Sequence, residues 1–415
     1  MIMKKQFFIT LLGLSLVACN SDEFLPQAND DVEVLPMENL RTETEAIEIA
    51  TKGLNEFYPV KSRSARDLSG MNVVMLQTPA SRSNEDSNPL YVVNFGNESG
   101  YAIVSAAKDR EPLLAVTESG SITSLDEIDN PGLRLFVDGA MKLQKDTTAR
   151  VPTPGGDGGE LVDIFRNDTI FQSNTKVEPR ITVKWGQRYP EGMLCPNGIC
   201  GCVATAGAQA LSYFEYPETL NLTFPERKSD MISLDWENLK RLETPSFYLG
   251  EYEIQLASLC RELGYRINAN YSNSNVTTAN IFKLRNYFNE LLPSNKFIVS
   301  GIISSKPKTN ADLGNGIMVI QANQSGEAIG HAWVIDGYIY KKYTVYVYYH
   351  KIDSANETLE RKFDKEELYS SMNWGWNGKD NGYFKIHAAS ISKMDDNTVT
   401  YYFNENFYYF TIKTK

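Results

Sequence analysis

The stretch Gly198-Ile199-Cys200-Gly201-Cys202-Val203-Ala204-Thr205-Ala206-Gly207-Ala208-Gln209-Ala210-Leu211 decides how this chain is read. Glycines precede Cys202, and a run of small residues follows it. Val203, Ala206, Gly207, Ala210 and Phe214 recur at helical spacing, so the run predicts a helix over Cys202–Phe214 with one face able to pack closely. Cys202 then falls in the first turn. Backbone N–H groups and the helix dipole favour a thiolate there, and the thiolate is the nucleophilic form. Taken alone, the residue is read equally well as a small buried apolar side chain.

A thiolate nucleophile needs a base, and the chain offers only 3 His. His331 lies in Ile329-Gly330-His331-Ala332-Trp333-Val334-Ile335-Asp336-Gly337, where alternation places it at the start of a half-buried strand. His350 ends a Tyr-rich strand and reads as a rim residue; His387 lies near the end of a later strand. Downstream stands Asn373-Trp374-Gly375-Trp376. An Asn carbonyl can hold an imidazole in the useful tautomer, and a Trp can shield that hydrogen bond from water. Upstream stands Trp185-Gly186-Gln187, and a Gln amide suits donation to a developing oxyanion beside the Cys202 N–H. Each piece has a bland alternative in core packing. Their order along the chain is what points to acyl transfer.

The 415 residues carry a net charge of −11, the wrong sign for a general nucleic-acid binder. Five Cys are too few for a disulfide scaffold. Lys4 and Lys5 precede the apolar run Phe7 to Val17, which is too short to span a bilayer and has the form of an export signal. It ends in Leu16-Val17-Ala18-Cys19, resembling a bacterial lipobox with Cys19 as the lipidated first residue. A plain secretory signal is the alternative. Asn20 to Val34 reads as a flexible tether.

Thr42 and Glu45 predict a capping box ahead of a helix that stops before Pro59. Strands are expected at Asn72–Leu76, Leu90–Phe95, Tyr101–Ser105 and Leu113–Thr117, with a hairpin over 96–100 and a helix over Leu133–Gln144. Pro152-Thr153-Pro154-Gly155-Gly156-Asp157-Gly158-Gly159 reads as an exposed, cleavable linker. Beyond it lie all five Trp. Helices are expected at Cys202–Phe214, Glu251–Leu263 and Thr278–Leu291. Strands follow at Phe297–Ile303, Gly316–Gln321, His331–Tyr340, Tyr343–His350, Gly382–His387 and Val399–Ile412. Helices first and strands second suggest two lobes with a cleft between them.

The motifs Gly201-Cys202-Val203-Ala204-Thr205-Ala206, Gly330-His331-Ala332-Trp333-Val334-Ile335-Asp336-Gly337 and Asn373-Trp374-Gly375-Trp376 resemble the streptopain family of papain-like cysteine peptidases. Tyr91-Val92-Val93-Asn94-Phe95 and Gly100-Tyr101-Ala102-Ile103-Val104-Ser105-Ala106 resemble that family's inhibitory propeptide. The resemblance implies an α+β fold, with a papain-like two-lobed catalytic domain (a helical lobe plus an antiparallel β lobe) preceded by a small α+β propeptide domain. His331 follows Cys202 by about 130 positions, near papain-like spacing. The implied organisation is a signal peptide over 1–18, a tether over 19–40, an inhibitory propeptide over 41–148, a linker with the activation cleavage over 149–176, and the peptidase over 177–415.

The resemblance implies a zymogen of a cysteine endopeptidase with an apolar preference in its second subsite. Cys202 matches the nucleophile, His331 the general base and acid, and Trp374 and Trp376 the tryptophans by the cleft. Asn373 matches a candidate orienting group, in competition with a Trp or the backbone; Gln187 is an analogy with papain-like enzymes. Val203 replaces the aromatic residue that follows the Cys in papain. Cys195 and Cys200 are extra thiols that could pair with each other or with Cys202. A metal site on them has little support, and neither metal nor cofactor is expected. The expected partners are polypeptide substrates and the propeptide itself as intramolecular inhibitor, with no nucleic acid and with membrane contact only through a lipidated Cys19. The expected location is the cell envelope, at the outer membrane or cell surface. A transamidating enzyme of the same fold, or a silent surface adhesin or inhibitor, are the rival readings.

Overall fold

A computed structural model describes residues 40–59, 70–77, 89–108, 110–145, 164–243, 249–305, 307, 309–323, 330–350, 358–386 and 407–415. The expected signal, the stretch Asn20 to Val34, the Pro/Gly-rich segment 152–159, His387 and residues 399–406 of the last expected strand lie outside them. Among the described residues no helix is long and apolar enough to cross a membrane.

The N-terminal unit begins with α1 (Glu43–Phe57). Its capping box is complete: the Thr42 hydroxyl accepts from the Glu45 N–H at 3.2 Å, and the Glu45 carboxylate accepts from the Thr42 N–H at 2.6 Å. Ala46, Ala50, Leu54 and Phe57 form its buried stripe. β1 (Met71–Leu76), β2 (Leu90–Phe95), β3 (Tyr101–Ser105) and β4 (Leu113–Thr117) follow as an antiparallel meander, then α2 (Pro131–Lys145). These elements agree with the sequence reading to within two residues at each end.

The C-terminal unit comprises β5 (Ile164–Val177), α3 (Cys202–Phe214), β6 (Thr219–Asn221), β7 (Met231–Ser233), α4 (Trp236–Leu239), α5 (Glu251–Arg266) and α6 (Ile281–Leu291). It continues with β8 (Phe297–Val299), α7 (Thr309–Asp312), β9 (Ile317–Asn323), β10 (Gly330–His350), β11 (Thr358–Asn373), β12 (Gly382–Lys385) and β13 (Tyr408–Thr414). Three sequence expectations need correction. Ile164–Val177, read as linker, is a strand, because it pairs along the far half of β10 from Tyr338 to His350. The two strands expected at 331–340 and 343–350 are one. β11 was not anticipated: its charge-dense 361–367 segment has weak strand propensity, and cross-strand pairing holds it. Lys341 and Lys342 face Glu367 and Glu366, and the Thr344 hydroxyl donates to Asp364 at 2.9 Å.

The two units share one sheet, in the order β1-β2-β3-β4-β12-β11-β10-β9-β13-β8. The junction is β4 against β12, with Thr117, Val116 and Ala115 opposite Gly382, Tyr383 and Phe384. Alternation along β10 gives its two faces different cores. Ala332 and Val334 join α3, α5 and α6 in a helical core, while Trp333 and Ile335 join α2 through Leu133, Phe136 and Val137. The Phe136 ring meets Phe384 edge-on at 5.1 Å. On the other side α1 lays Phe57 against Tyr369 at 4.7 Å.

Charge also crosses the junction. Glu111 of the N-terminal unit reaches Lys385 at 2.5 Å and Lys365 at 3.2 Å, with both the Glu111 and Lys385 side chains 2% exposed. Burial alone would raise the Glu111 carboxyl; the two ammonium groups outweigh it and hold the group below the usual carboxylate range. Removing one partner of such a pair strands a buried charge. We expect Glu111→Gln to destabilise the full-length chain, in a Cys202→Ala background, by about 3–5 kcal/mol in urea unfolding at pH 7. A loss below about 1 kcal/mol would show that water reaches Lys385.

Candidate active site

α3 starts at Cys202 because Gly201 adopts φ 88°, ψ 150° and turns the chain into the helix. Thr205 locks this turn, its hydroxyl lying 3.1 Å from the Gly201 carbonyl and 2.9 Å from that of Gly186. The Cys200 N–H donates to the Gln187 carbonyl at 2.8 Å. These bonds bring Trp185-Gly186-Gln187 alongside the first turn of α3.

Cys202 and His331 line one cavity of about 280 Å³, together with Gln187 and Trp376. The backbone N–H of Ala332, the residue after His331, faces the Cys202 sulfur, as do those of Val203 and Cys202 itself. The His331 ring is 1% exposed, and its Nε2 lies 2.8 Å from the Trp374 carbonyl oxygen. A carbonyl only accepts, so Nε2 carries the proton and Nδ1 is the basic nitrogen.

Of the orienting groups the sequence left open, the backbone hydrogen-bonds the ring and Asn373 does not. Its Oδ1 accepts from Gln209 Nε2 at 2.9 Å, and its Nδ2 donates to the Val183 carbonyl at 2.9 Å. The next residue orients the imidazole through its backbone. Trp374 is itself held by its N–H to Asn381 Oδ1 at 3.1 Å and by its ring N–H to the Asp380 carbonyl at 3.0 Å. Gln209 escaped the sequence reading; the available signal was a lone amide in a helix of small buried residues. His350 closes β10 opposite Ile164, far along the strand from His331.

The N-terminal unit sits directly on this site. Pro131 lines the same cavity. A Cβ on Gly132 would lie 2.6 Å from the Trp374 ring and 2.7 Å from His331 Cδ2, so only glycine allows this approach. Asn130 Oδ1 caps α2 by accepting from Gly132 N–H at 3.1 Å, while its Nδ2 donates to Asp380 at 3.3 Å. The Tyr101 hydroxyl donates to the other Asp380 oxygen at 3.2 Å. Burial pushes the Asp380 carboxyl up to about 6, against the hydrogen bond from Asn130.

In this covered state the first-turn N–H groups act on the Cys202 thiol in the expected direction but do not decide its balance. Burial raises its thiol, and the surrounding N–H groups offset that only in part. Burial also lowers His331 to about 4, against the bond to Trp374. Both effects favour a neutral pair, which is a latent one. The four described cysteines, Cys195, Cys200, Cys202 and Cys260, are free thiols. Burial pushes the Cys195 thiol up to about 12. Among the described residues no three His, Cys, Asp or Glu converge as a metal site.

A titration follows. His331 takes its proton near pH 4 in the folded chain and near 6.5 in the open chain. The unfolded chain therefore binds the extra proton, and the stability associated with a neutral His331 is lost as pH falls through that window. NMR of the full-length Cys202→Ala chain should show one imidazole with a midpoint near 4. A midpoint at or above the ordinary 6.5 would mean that water reaches the ring beneath α2.

Comparison with known proteins bears on these observations. Residues 185–384 match the Peptidase C10 family, and residues 38–142 match the Spi protease inhibitor family. No curated protein sequence matches the chain. Among solved structures, a fragment of Prevotella intermedia prointerpain A is 20% identical, with a TM-score of 0.51, covering 82% of this chain and 98% of that one. The active Prevotella intermedia interpain A cysteine protease is 21% identical over 57% of this chain and 94% of its own, with a TM-score of 0.36. The prointerpain likeness is one of fold, and it spans both the α+β units described above. Residues 185–384 are thus a Peptidase C10 domain and residues 38–142 a Spi-type inhibitor domain ahead of it, a cysteine peptidase carried on one chain with its inhibitory propeptide.

Proposed function

We propose that this chain is an exported endopeptidase, latent as made, that hydrolyses peptide bonds through Cys202, His331 and an acyl-enzyme. The observation that carries the reading is the shared cavity. The Cys202 sulfur faces the N–H of Ala332, while His331 spends Nε2 on the Trp374 carbonyl and keeps Nδ1 as the base. Transfer of the thiol proton to Nδ1 gives the thiolate–imidazolium pair. The sulfur attacks the peptide carbonyl, and the Cys202 N–H with the Gln187 amide holds the oxyanion. His331 returns the proton to the leaving amine, then draws one from water to release the acyl group.

Latency rests on α2. Pro131 of its first turn lines the cavity and Gly132 packs against the buried His331, and a desolvated imidazole stays neutral. Cutting ahead of Ile164 would free the N-terminal unit while leaving β5 paired with β10. Residues 149–163 of the expected cleavage region lie outside the described residues, and 164–176 lie in β5. The Lys4–Cys19 pattern supports export and lipid attachment at Cys19, with Asn20 to Val34 as the tether to a cell-envelope surface.

Cys202→Ala should lower peptide hydrolysis by at least about a thousandfold with the fold retained. An epoxysuccinyl reagent should label Cys202 only after the linker is cut; full hydrolysis by the Ala variant would overturn the assignment. Gly132→Ala should weaken latency, because the added methyl presses on His331 and Trp374. Processing of the intact zymogen should then run about tenfold faster, with the activity of the matured enzyme unchanged. Equal processing rates would show that the α2 contact does not set latency.

A further inference from the structure

We infer that Gln209 is a positioning residue for this reaction, holding from inside the nucleophile helix the peptide plane that orients His331. The inference rests on the proposed roles of Cys202 and His331. Gln209 lies two turns beyond Cys202 on α3 and is 0% exposed. Its Nε2 donates to the Trp185 carbonyl at 3.1 Å and to Asn373 Oδ1 at 2.9 Å.

The identity of each amide atom follows from chemistry. The Val183 carbonyl only accepts, so Asn373 must present Nδ2 to it and Oδ1 to Gln209. Gln209 must then supply a donor. Asn373 Oδ1 also accepts from the Gly375 N–H at 3.3 Å. That N–H belongs to the same planar peptide unit as the Trp374 carbonyl. Fixing one end of the plane fixes the other, and the other end holds His331 Nε2 at 2.8 Å. Gly375, at φ 68°, takes the left-handed turn this arrangement needs.

Gln209 thus links three pieces of the site. It sits on the helix that carries Cys202. Through Trp185 it steadies the segment leading to Gln187. Through Asn373 it sets the plane that keeps the proton on Nε2 and leaves Nδ1 basic. Its own Oε1 is buried with no hydrogen-bond partner among the described residues, so this amide is kept at a cost that packing alone does not explain.

The test uses the matured enzyme. Gln209→Met removes the donor and keeps the volume. It should lower kcat by about 10- to 100-fold with KM within about twofold, as expected for a lost catalytic orientation. The alkaline limb of the thiol-alkylation pH profile should move down by about one unit, because the imidazolium loses its carbonyl acceptor. Gln209→Glu keeps the shape but sets an anion against Asn373 Oδ1. Relative to wild type it should lose more activity at pH 8 than at pH 5, where the protonated carboxyl again donates. The Glu variant decides the matter if the Met variant fails to fold. Wild-type kcat and an unmoved alkaline limb in Gln209→Met, or a pH-independent effect in Gln209→Glu, would overturn the inference. Cys202→Ala and His331→Ala run beside them: if either retains hydrolysis, the proposed pair fails, whereas inactive controls with normal Gln209 variants discard only the role of Gln209.

Discussion

One hydrogen bond, from His331 Nε2 to the Trp374 carbonyl, is the fixed point around which the site is built. A backbone carbonyl is only as well aimed as the chain that carries it. Here that chain is gripped on every side: Asn381 and Asp380 hold Trp374, Asn373 holds the Gly375 N–H, and the Trp374 ring is fully buried. A side-chain carboxamide in the same role would need only its own rotamer fixed. Using the backbone spreads the task over a whole turn, and it explains why so many amide side chains cluster behind the cavity without touching it.

The same turn is where the propeptide takes hold. Tyr101 and Asn130 reach Asp380, the Ser119 hydroxyl donates to the Gly378 carbonyl at 2.7 Å, and Lys379 pairs with Asp129 at 3.0 Å. Inhibition and orientation therefore meet on one loop. Beneath it His331 is buried and Cys202 half-buried, and desolvation works against both halves of an ion pair.

Much of this was legible in the sequence. The small-residue run after Cys202 marks α3 end to end, and the alternation around His331 puts it on the Trp333 and Ile335 face of β10. Short apolar strands and the Thr42 cap carry their own signals. What stayed hidden depends on distant partners. β5 and the charged part of β11 are strands only because β10 lies beside them. Asn373 and Trp374 are neighbours, and no one-dimensional pattern says whether a side chain or the following carbonyl reaches a ring more than forty residues away in sequence. The thiol was legible as a helix-start cysteine, but its covered state depends on α2, seventy positions upstream.

The β4–β12 junction carries a cost that would appear only once the N-terminal unit leaves. While the propeptide is present, Gly382, Tyr383 and Phe384 are interior to a continuous sheet. Its departure would turn them into a bare rim of unpaired amides flanked by large aromatic rings, the kind of border to which stray extended chains add themselves. The rim is only a few residues long, and Lys385 at its end would exchange Glu111 for water while keeping Glu367 at 3.9 Å. Brevity and the charge of Lys385 would then discourage self-association along this border.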